Sequence, residues 1–87
     1  MSHAFYSDAA EKILPELTTS ERATVERFRR ALAENPDLGR LLPGPDAQPS
    51  RAYDLLPGQT RGRGITVVHR HSPELDAVLI LWIIAGP

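Results

Sequence analysis

The 87-residue sequence contains no cysteine, a single tryptophan and only one lysine beside nine arginines. Without cysteine the chain can form neither disulfides nor thiolate metal sites. Its longest apolar run, residues 77–85, is far shorter than the ~20 residues of a membrane-spanning helix. No basic stretch followed by an apolar one opens the chain, so we predict no secretion signal. These absences favour a single cytoplasmic domain over residues 1–87, with no membrane association.

Charge is distributed unevenly, although the whole sequence has a net charge of only −1. Residues 1–50 carry six basic and eight acidic side chains, whereas residues 51–71 carry six arginines and histidines and one acid, Asp54. A basic segment in a nearly neutral protein indicates an anionic ligand or partner. The alternative is a solvent-exposed edge whose arginines bind nothing.

The first half of the chain predicts two consecutive helices. Apolar residues recur with helical spacing over residues 8–34, and Pro15 should kink or shorten the first helix. Thr18 and Glu21 have the spacing of a capping box, which predicts the start of the second helix. The helix should end at Asn35, which precedes a proline. We expect a helical hairpin that lies on another layer.

The second half changes to the period-two alternation of strands. Residues 51–56, 65–71 and 77–85 predict three strands, and residues 4–6 predict a short first strand. Because residues 77–85 are apolar on both faces, we expect an internal strand with Trp82 in the core. The order β-α-α-β-β-β predicts an α+β fold, a small antiparallel sheet with the helical hairpin packed on one face.

Three stretches of the sequence carry a resemblance to a known family. They are FYSDAAEKILPEL at residues 5–17, NPDLGRLLPG at residues 35–44 and RGRGITVVHRHSPELDAVLILWIIAG at residues 61–86. Together with the order of elements, they resemble the RelE/ParE superfamily of toxins from bacterial type II toxin–antitoxin systems. The resemblance implies a RelE-like fold and a small toxin that a cognate antitoxin neutralises by wrapping around it.

The resemblance implies alternative targets. RelE-like members are endoribonucleases that cleave translated mRNA on the ribosome, without a metal or another cofactor. ParE-like members inhibit DNA gyrase and cleave no RNA, and the near-neutral charge of this chain favours that reading. The third alternative is a catalytically inactive interaction domain of the same fold. Because these three functions occur on the same fold, the residues of the candidate site must distinguish among them.

Carried over residue by residue, the resemblance places the candidate site on the middle strands. Metal-independent RNA cleavage needs help for the attacking 2′-hydroxyl, a cation near the phosphate and a proton donor for the leaving oxygen. Arg51 and Tyr53 fall where relatives carry basic residues, which implies a phosphate clamp and a base-stacking or proton-relay group. Thr66 stands at the family's usual arginine and His69 at its usual tyrosine.

Neighbouring residues offer replacements for the missing groups. Arg61 and Arg63 lie just upstream and can supply a guanidinium, while His69 and His71 share one strand face and titrate near neutral pH. The candidate catalytic residues are therefore Arg51, Arg61, Arg63, His69 and His71. The candidate nucleic-acid contacts are Arg51, Tyr53, Arg61 and Arg63. The competing reading is cross-strand packing for the histidines and solvation or acid pairing for the arginines. The functional reading requires these groups to converge on a single concave patch.

Overall fold

The computed structural model describes residues 3–44 and 49–86. Its five strands are β1 (His3–Tyr6), β2 (Arg40–Leu41), β3 (Ser50–Leu55), β4 (Ile65–Ser72) and β5 (Ala77–Ala85). Its helices are α1 (Asp8–Ile13), a 3₁₀ turn (Leu14–Glu16), α2 (Thr19–Glu34) and the one-turn α3 (Pro57–Thr60). The predicted α+β fold is confirmed, with two short additions, β2 and α3, that the period of the sequence did not indicate.

The strands form one sheet in the order β1-β5-β4-β3-β2. β3, β4 and β5 form an antiparallel meander, and β2 also pairs antiparallel with β3. β1, however, runs parallel to β5, so the prediction of an antiparallel sheet is wrong at this edge. No hairpin joins the first strand to the last, and the turn geometry that makes consecutive strands antiparallel therefore does not apply to this pair.

The local signals that define the helices act as the sequence predicts. Thr18 is the N-cap of α2: its hydroxyl accepts the Glu21 N–H at 3.1 Å, and the Glu21 carboxylate accepts the Thr18 N–H at 2.8 Å. Pro15 interrupts regular hydrogen bonding, and α1 gives way to the 3₁₀ turn there. Asn35 is the C-cap of α2 and closes its last turn.

The core lies between the helical hairpin and one face of the sheet. α1 and α2 cover β1 and β5, and alternate residues of the long strands point toward the helices. The buried apolar side chains are Ala4, Ala10, Leu17, Val25, Phe28, Leu32, Leu55, Ile65, Val67, Val78, Ile80 and Ile83. The helices leave β3 partly uncovered, and a groove forms there.

No helix covers the opposite face of β5 in the described part of the chain. β5 is an internal strand, as predicted, but Trp82 is 56% exposed, so the prediction that Trp82 lies in the core is wrong. Phe5, Leu79 and Ile84 are exposed beside it. We call the side of the sheet that bears these four residues the open face. Within residues 3–44 and 49–86, no helix is long and apolar enough to cross a membrane.

Candidate functional site

The structure separates the predicted site residues into two groups. Arg51 lies opposite His69 in the β3–β4 ladder, whereas Leu55 lies opposite Ile65 at the other end of it. These two ends are about 14 Å apart, because four residues of strand span that length. Arg61 and Arg63 precede Ile65 and thus lie away from Arg51. The expected single patch of five catalytic side chains is therefore not formed.

His69 lies in the interior, with no exposed surface. Its ring meets the ring of Phe28 edge-on, with 5.9 Å between centroids. Neither ring nitrogen has a partner with hydrogen-bond geometry among the described residues. Burial lowers the pKa of His69. The positive charge of Arg51 lowers this pKa further, and the nearby backbone of Leu38 raises it by less than burial lowers it. His69 is thus a neutral core residue that no ligand can touch in this conformation.

Arg63 is held by a buried carboxylate. Its Nε and Nη2 atoms donate to the two Glu21 oxygens, each at 3.0 Å, and its backbone N–H donates to Glu21 Oε2 at 2.9 Å. Glu21 is only 1% exposed. Hydrogen bonds from the Arg63 side chain, then from the Thr18 backbone, hold the pKa of Glu21 well below its usual range. Moving the Arg63 guanidinium to a ligand would leave this buried carboxylate without its cation, which is costly.

The same contact anchors the connection between β3 and β4 to the first turn of α2. Ser20 Oγ donates to the Thr60 carbonyl at 2.6 Å, and Thr60 Oγ1 donates to the Arg63 carbonyl at 2.7 Å. A Cβ atom on Gly62 would lie 2.7 Å from Glu21 Oε2, so any other residue there would displace the Glu21 carboxylate that Arg63 binds. Arg61, the C-cap of α3, has a left-handed backbone (φ 58°) and an exposed side chain. The connection is thus tightly held and presents Arg61 to solvent.

The partly uncovered side of β3 forms a groove against α2. The groove has a volume of about 430 Å³ and is lined by Thr24, Arg27, Phe28, Ala31, Tyr53, Leu55 and Gln59. We call it the α2–β3 groove. The rings of Tyr53 and Phe28 stack within it, with centroids 4.6 Å apart and planes inclined by 28°. Within the described part of the chain, no acidic side chain lines the groove.

Tyr53 is the one predicted residue that lines this groove. Sequence reasoning missed Arg27, Phe28 as a ring partner, and Gln59. The helical period does place Phe28 on the buried side of α2 and Arg27 beside it, but no sequence signal indicates that this part of α2 faces β3. That placement depends on how the helix crosses the sheet.

Arg51 lies next to the groove, on the same strand face as Tyr53 and two residues before it. Its Nη1 donates to the Gly39 carbonyl at 3.2 Å. Among the described residues, the arginines divide by whether they pair with a carboxylate. Arg29, Arg30, Arg40 and Arg63 do, whereas Arg22, Arg27, Arg51 and Arg61 form no such pair. Two unpaired guanidinium groups thus belong to the groove or its immediate border.

His71 lies two residues beyond His69 on the same side of β4 and is half-buried. Its Nε2 is shielded from solvent and has no hydrogen-bond partner among the described residues. His71 therefore remains a candidate acid or base only if a ligand reaches the far end of β4.

The comparisons with known proteins identify the fold. No protein-family model matches the sequence, and no curated protein matches it. The structure is similar to that of the Escherichia coli RelBE toxin–antitoxin complex, with a TM-score of 0.78 and 17% identity over 100% of this chain and 99% of that chain. The isolated E. coli RelE toxin matches with the same TM-score and identity over 100% and 86% of the two chains. The RelBE2 complex of Mycobacterium tuberculosis matches with a TM-score of 0.73 and 19% identity over 98% and 91%. The chain thus has the fold of these RelE proteins, as the sequence predicted.

Proposed function

We propose that this chain, which has the RelE/ParE toxin fold, is the toxin of a toxin–antitoxin system and is neutralised by a cognate antitoxin. The observation that carries the proposal is the similarity to RelE over the entire chain. The open face supports it, since a large apolar patch on a small domain usually marks a protein-binding surface. Phe5, Leu79, Trp82 and Ile84 are each at least 40% exposed there. An antitoxin segment that covers these side chains would remove them from water.

For the target, we propose translated mRNA on the ribosome, cleaved in the cytoplasm without a metal or cofactor. Arg51 and Arg61 are unpaired cations suited to phosphate, and Tyr53 offers a ring for a base. In this proposal Arg63 and His69 act indirectly: Arg63 fixes the connection that carries Arg61, and His69 supports the packing beside Arg51. Both were expected to be catalytic, and their placement favours this supporting role.

The proposal is tested by expressing the chain in bacteria with and without a candidate antitoxin gene from its neighbourhood. Expression alone should arrest growth and produce mRNA cleavage in phase with codons. Arg51→Ala should reduce cleavage by roughly 10²-fold, the usual effect of losing one donor to a developing anion. Arg30→Ala, which removes a charge paired with Glu26 on α2, is the matched control and should leave cleavage unchanged.

A second candidate function is ParE-like inhibition of DNA gyrase. It is favoured by the burial of His69 and the shielding of His71 Nε2, which leave neither β4 imidazole openly accessible as an acid or base. Growth arrest with intact transcripts, together with inhibition of purified gyrase, would replace the nuclease proposal by this one. Normal growth would point to an inactive interaction domain instead.

A further inference from the structure

The α2–β3 groove has the shape and lining of a small-ligand site. Its volume of about 430 Å³ falls within the range of sites that hold compact organic ligands. Phe28 is 6% exposed and backs the groove, while Tyr53 is half-buried and exposes part of its ring. The stacked pair is thus a fixed aromatic wall with one accessible member. A planar group can stack on such a wall. Nucleobases are planar, and any of the four bases can stack on an aromatic ring.

The polar groups of the groove offer more free hydrogen-bond donors than free acceptors. Gln59 Oε1 already accepts the Leu56 N–H at 2.8 Å, which leaves the Gln59 amide with its two N–H donors. Arg27 Nη2 donates to Thr24 Oγ1 at 3.2 Å, which orients the guanidinium and leaves its other N–H groups for a ligand. Thr24 Oγ1 in turn lies 3.0 Å from the Ser20 carbonyl and 3.1 Å from the Gln59 carbonyl. A complementary ligand is therefore rich in acceptors, such as a phosphate and the carbonyl edge of a base.

Charge points to the same ligand. Arg27 forms no ion pair with a described carboxylate, and Arg51 extends the cationic border along β3. Arg30, three residues further along α2, is instead neutralised by Glu26 at 3.8 Å. Of the two α2 arginines without a carboxylate partner, Arg22 donates to the Leu14 and Leu17 carbonyls, whereas Arg27 lines the groove. An aromatic wall, a donor excess and unpaired arginines together describe a nucleotide better than an apolar peptide.

We propose that the α2–β3 groove binds one nucleotide of single-stranded RNA, with the base on Tyr53 and a phosphate on Arg27. This inference rests on the proposed RNA target and adds a contact from α2 that sequence reasoning did not name. The RNA strand then continues from the groove past Arg51, where the proposed cleavage takes place. Arg27 is a binding residue in this scheme, and it contributes to affinity for RNA without taking part in cleavage.

The test is equilibrium binding of a single-stranded 2′-O-methyl RNA hexamer, which cannot be cleaved, to the purified full chain. Fluorescence anisotropy measures Kd at several salt concentrations. Arg27→Gln should weaken binding about tenfold and reduce the salt slope by about 0.7, the value for one phosphate contact on a single strand. Arg30→Gln removes the same charge one helical turn away and should change neither quantity.

The aromatic wall is tested separately. Tyr53→Leu should weaken binding by roughly 5- to 150-fold, the range for loss of one base–aromatic stack, whereas Tyr53→Phe should retain it. Circular dichroism confirms that each variant is folded before its Kd is compared. Equal binding by wild type, Arg27→Gln and Tyr53→Leu would overturn the groove as the RNA site.

The remaining outcomes separate this inference from the toxin proposal. A chain that arrests growth but binds no RNA hexamer overturns the groove assignment while the toxin function stands. A chain that does not arrest growth but binds the hexamer through Arg27 supports the groove and overturns the toxin function. If Arg27→Gln weakens binding of the antitoxin and leaves RNA affinity unchanged, the groove belongs to the protein partner and the nucleotide proposal fails.

Discussion

At the scale of single residues, two buried ionisable side chains illustrate how surroundings decide protonation. Glu21 is 1% exposed and remains charged, because the Thr18 N–H, the Arg63 N–H and the Arg63 guanidinium all donate to its carboxylate. His69 is also fully buried but has no such partner among the described residues, and it is therefore held neutral. Neither side chain is positioned to contact a ligand directly.

The neutral state of His69 predicts a pH dependence of stability. The pKa of His69 is lowered in the folded protein below its ordinary value of 6.5, so below that pH the unfolded chain binds more protons than the folded one. The free energy of unfolding should thus decrease as the pH falls from about 7.5 to about 5.5, by at most ~1.4 kcal/mol per pH unit for one proton. Urea unfolding at several pH values measures this slope.

The control for that experiment is His69→Leu, which should show a flatter profile in the same range. Glu21, Glu26 and Asp54 have lowered pKa values, so their contributions are lost only at more acidic pH, nearer their ordinary values of 3.8–4.5. Their titration therefore lies below the chosen interval. An unchanged slope in His69→Leu would assign the pH dependence to another group.

At the scale of elements, α2 organises the candidate site. Its first turn holds the β3–β4 connection through Glu21, its middle carries the groove residues Arg27 and Phe28, and its opposite side is tied to β1. There the Tyr6 hydroxyl donates to Glu26 at 2.7 Å, and Arg29 Nη1 donates to the Ala4 carbonyl at 2.9 Å. The helix therefore positions three separate parts of the molecule relative to one another.

The two arginines of the β3–β4 connection provide a matched test of its anchoring. Arg63→Ala leaves the buried Glu21 carboxylate without its cation and should lower Tm by roughly 10 °C or more. Arg61→Asn also removes one positive charge. Arg61 has a left-handed backbone conformation, which asparagine tolerates, so this variant should leave Tm nearly unchanged. Thermal unfolding followed by circular dichroism compares them. Similar Tm values for the two variants would show that Arg63 does not anchor the connection.

At the scale of the whole molecule, the sheet has one covered face and one open face. The helical hairpin buries the residues of β5 that point toward it, while their neighbours on the open face, Leu79, Trp82 and Ile84, remain exposed. The apolar residues on the two faces of β5 thus have different roles. Those on one face form the core, and those on the other face form the proposed antitoxin contact.

Adjacent isoleucines of β5 test this division with the same substitution. Ile83 is 4% exposed and Ile84 is 58% exposed. Ile83→Ala should lower the free energy of unfolding by about 2–5 kcal/mol, since it leaves a cavity in the core, whereas Ile84→Ala should change it by less than about 1 kcal/mol. Urea unfolding measures both. Equal losses would mean that the open face is covered in solution. Ile84→Ala should instead bind the antitoxin more weakly than Ile83→Ala does.

The sequence by itself determined the order of the main elements, the capping box that starts α2, the bounds of β5 and the basic character of residues 51–71. Periodicity, caps and turns act over a few neighbouring residues and can therefore be read locally. Only the tertiary structure decided the parallel direction of β1, the exposure of Trp82 and the burial of His69. It also brought Glu21 to Arg63 across 42 positions of sequence and placed Arg27 and Tyr53 in the same groove. Such contacts depend on how α2 crosses the sheet, and no local pattern encodes that crossing.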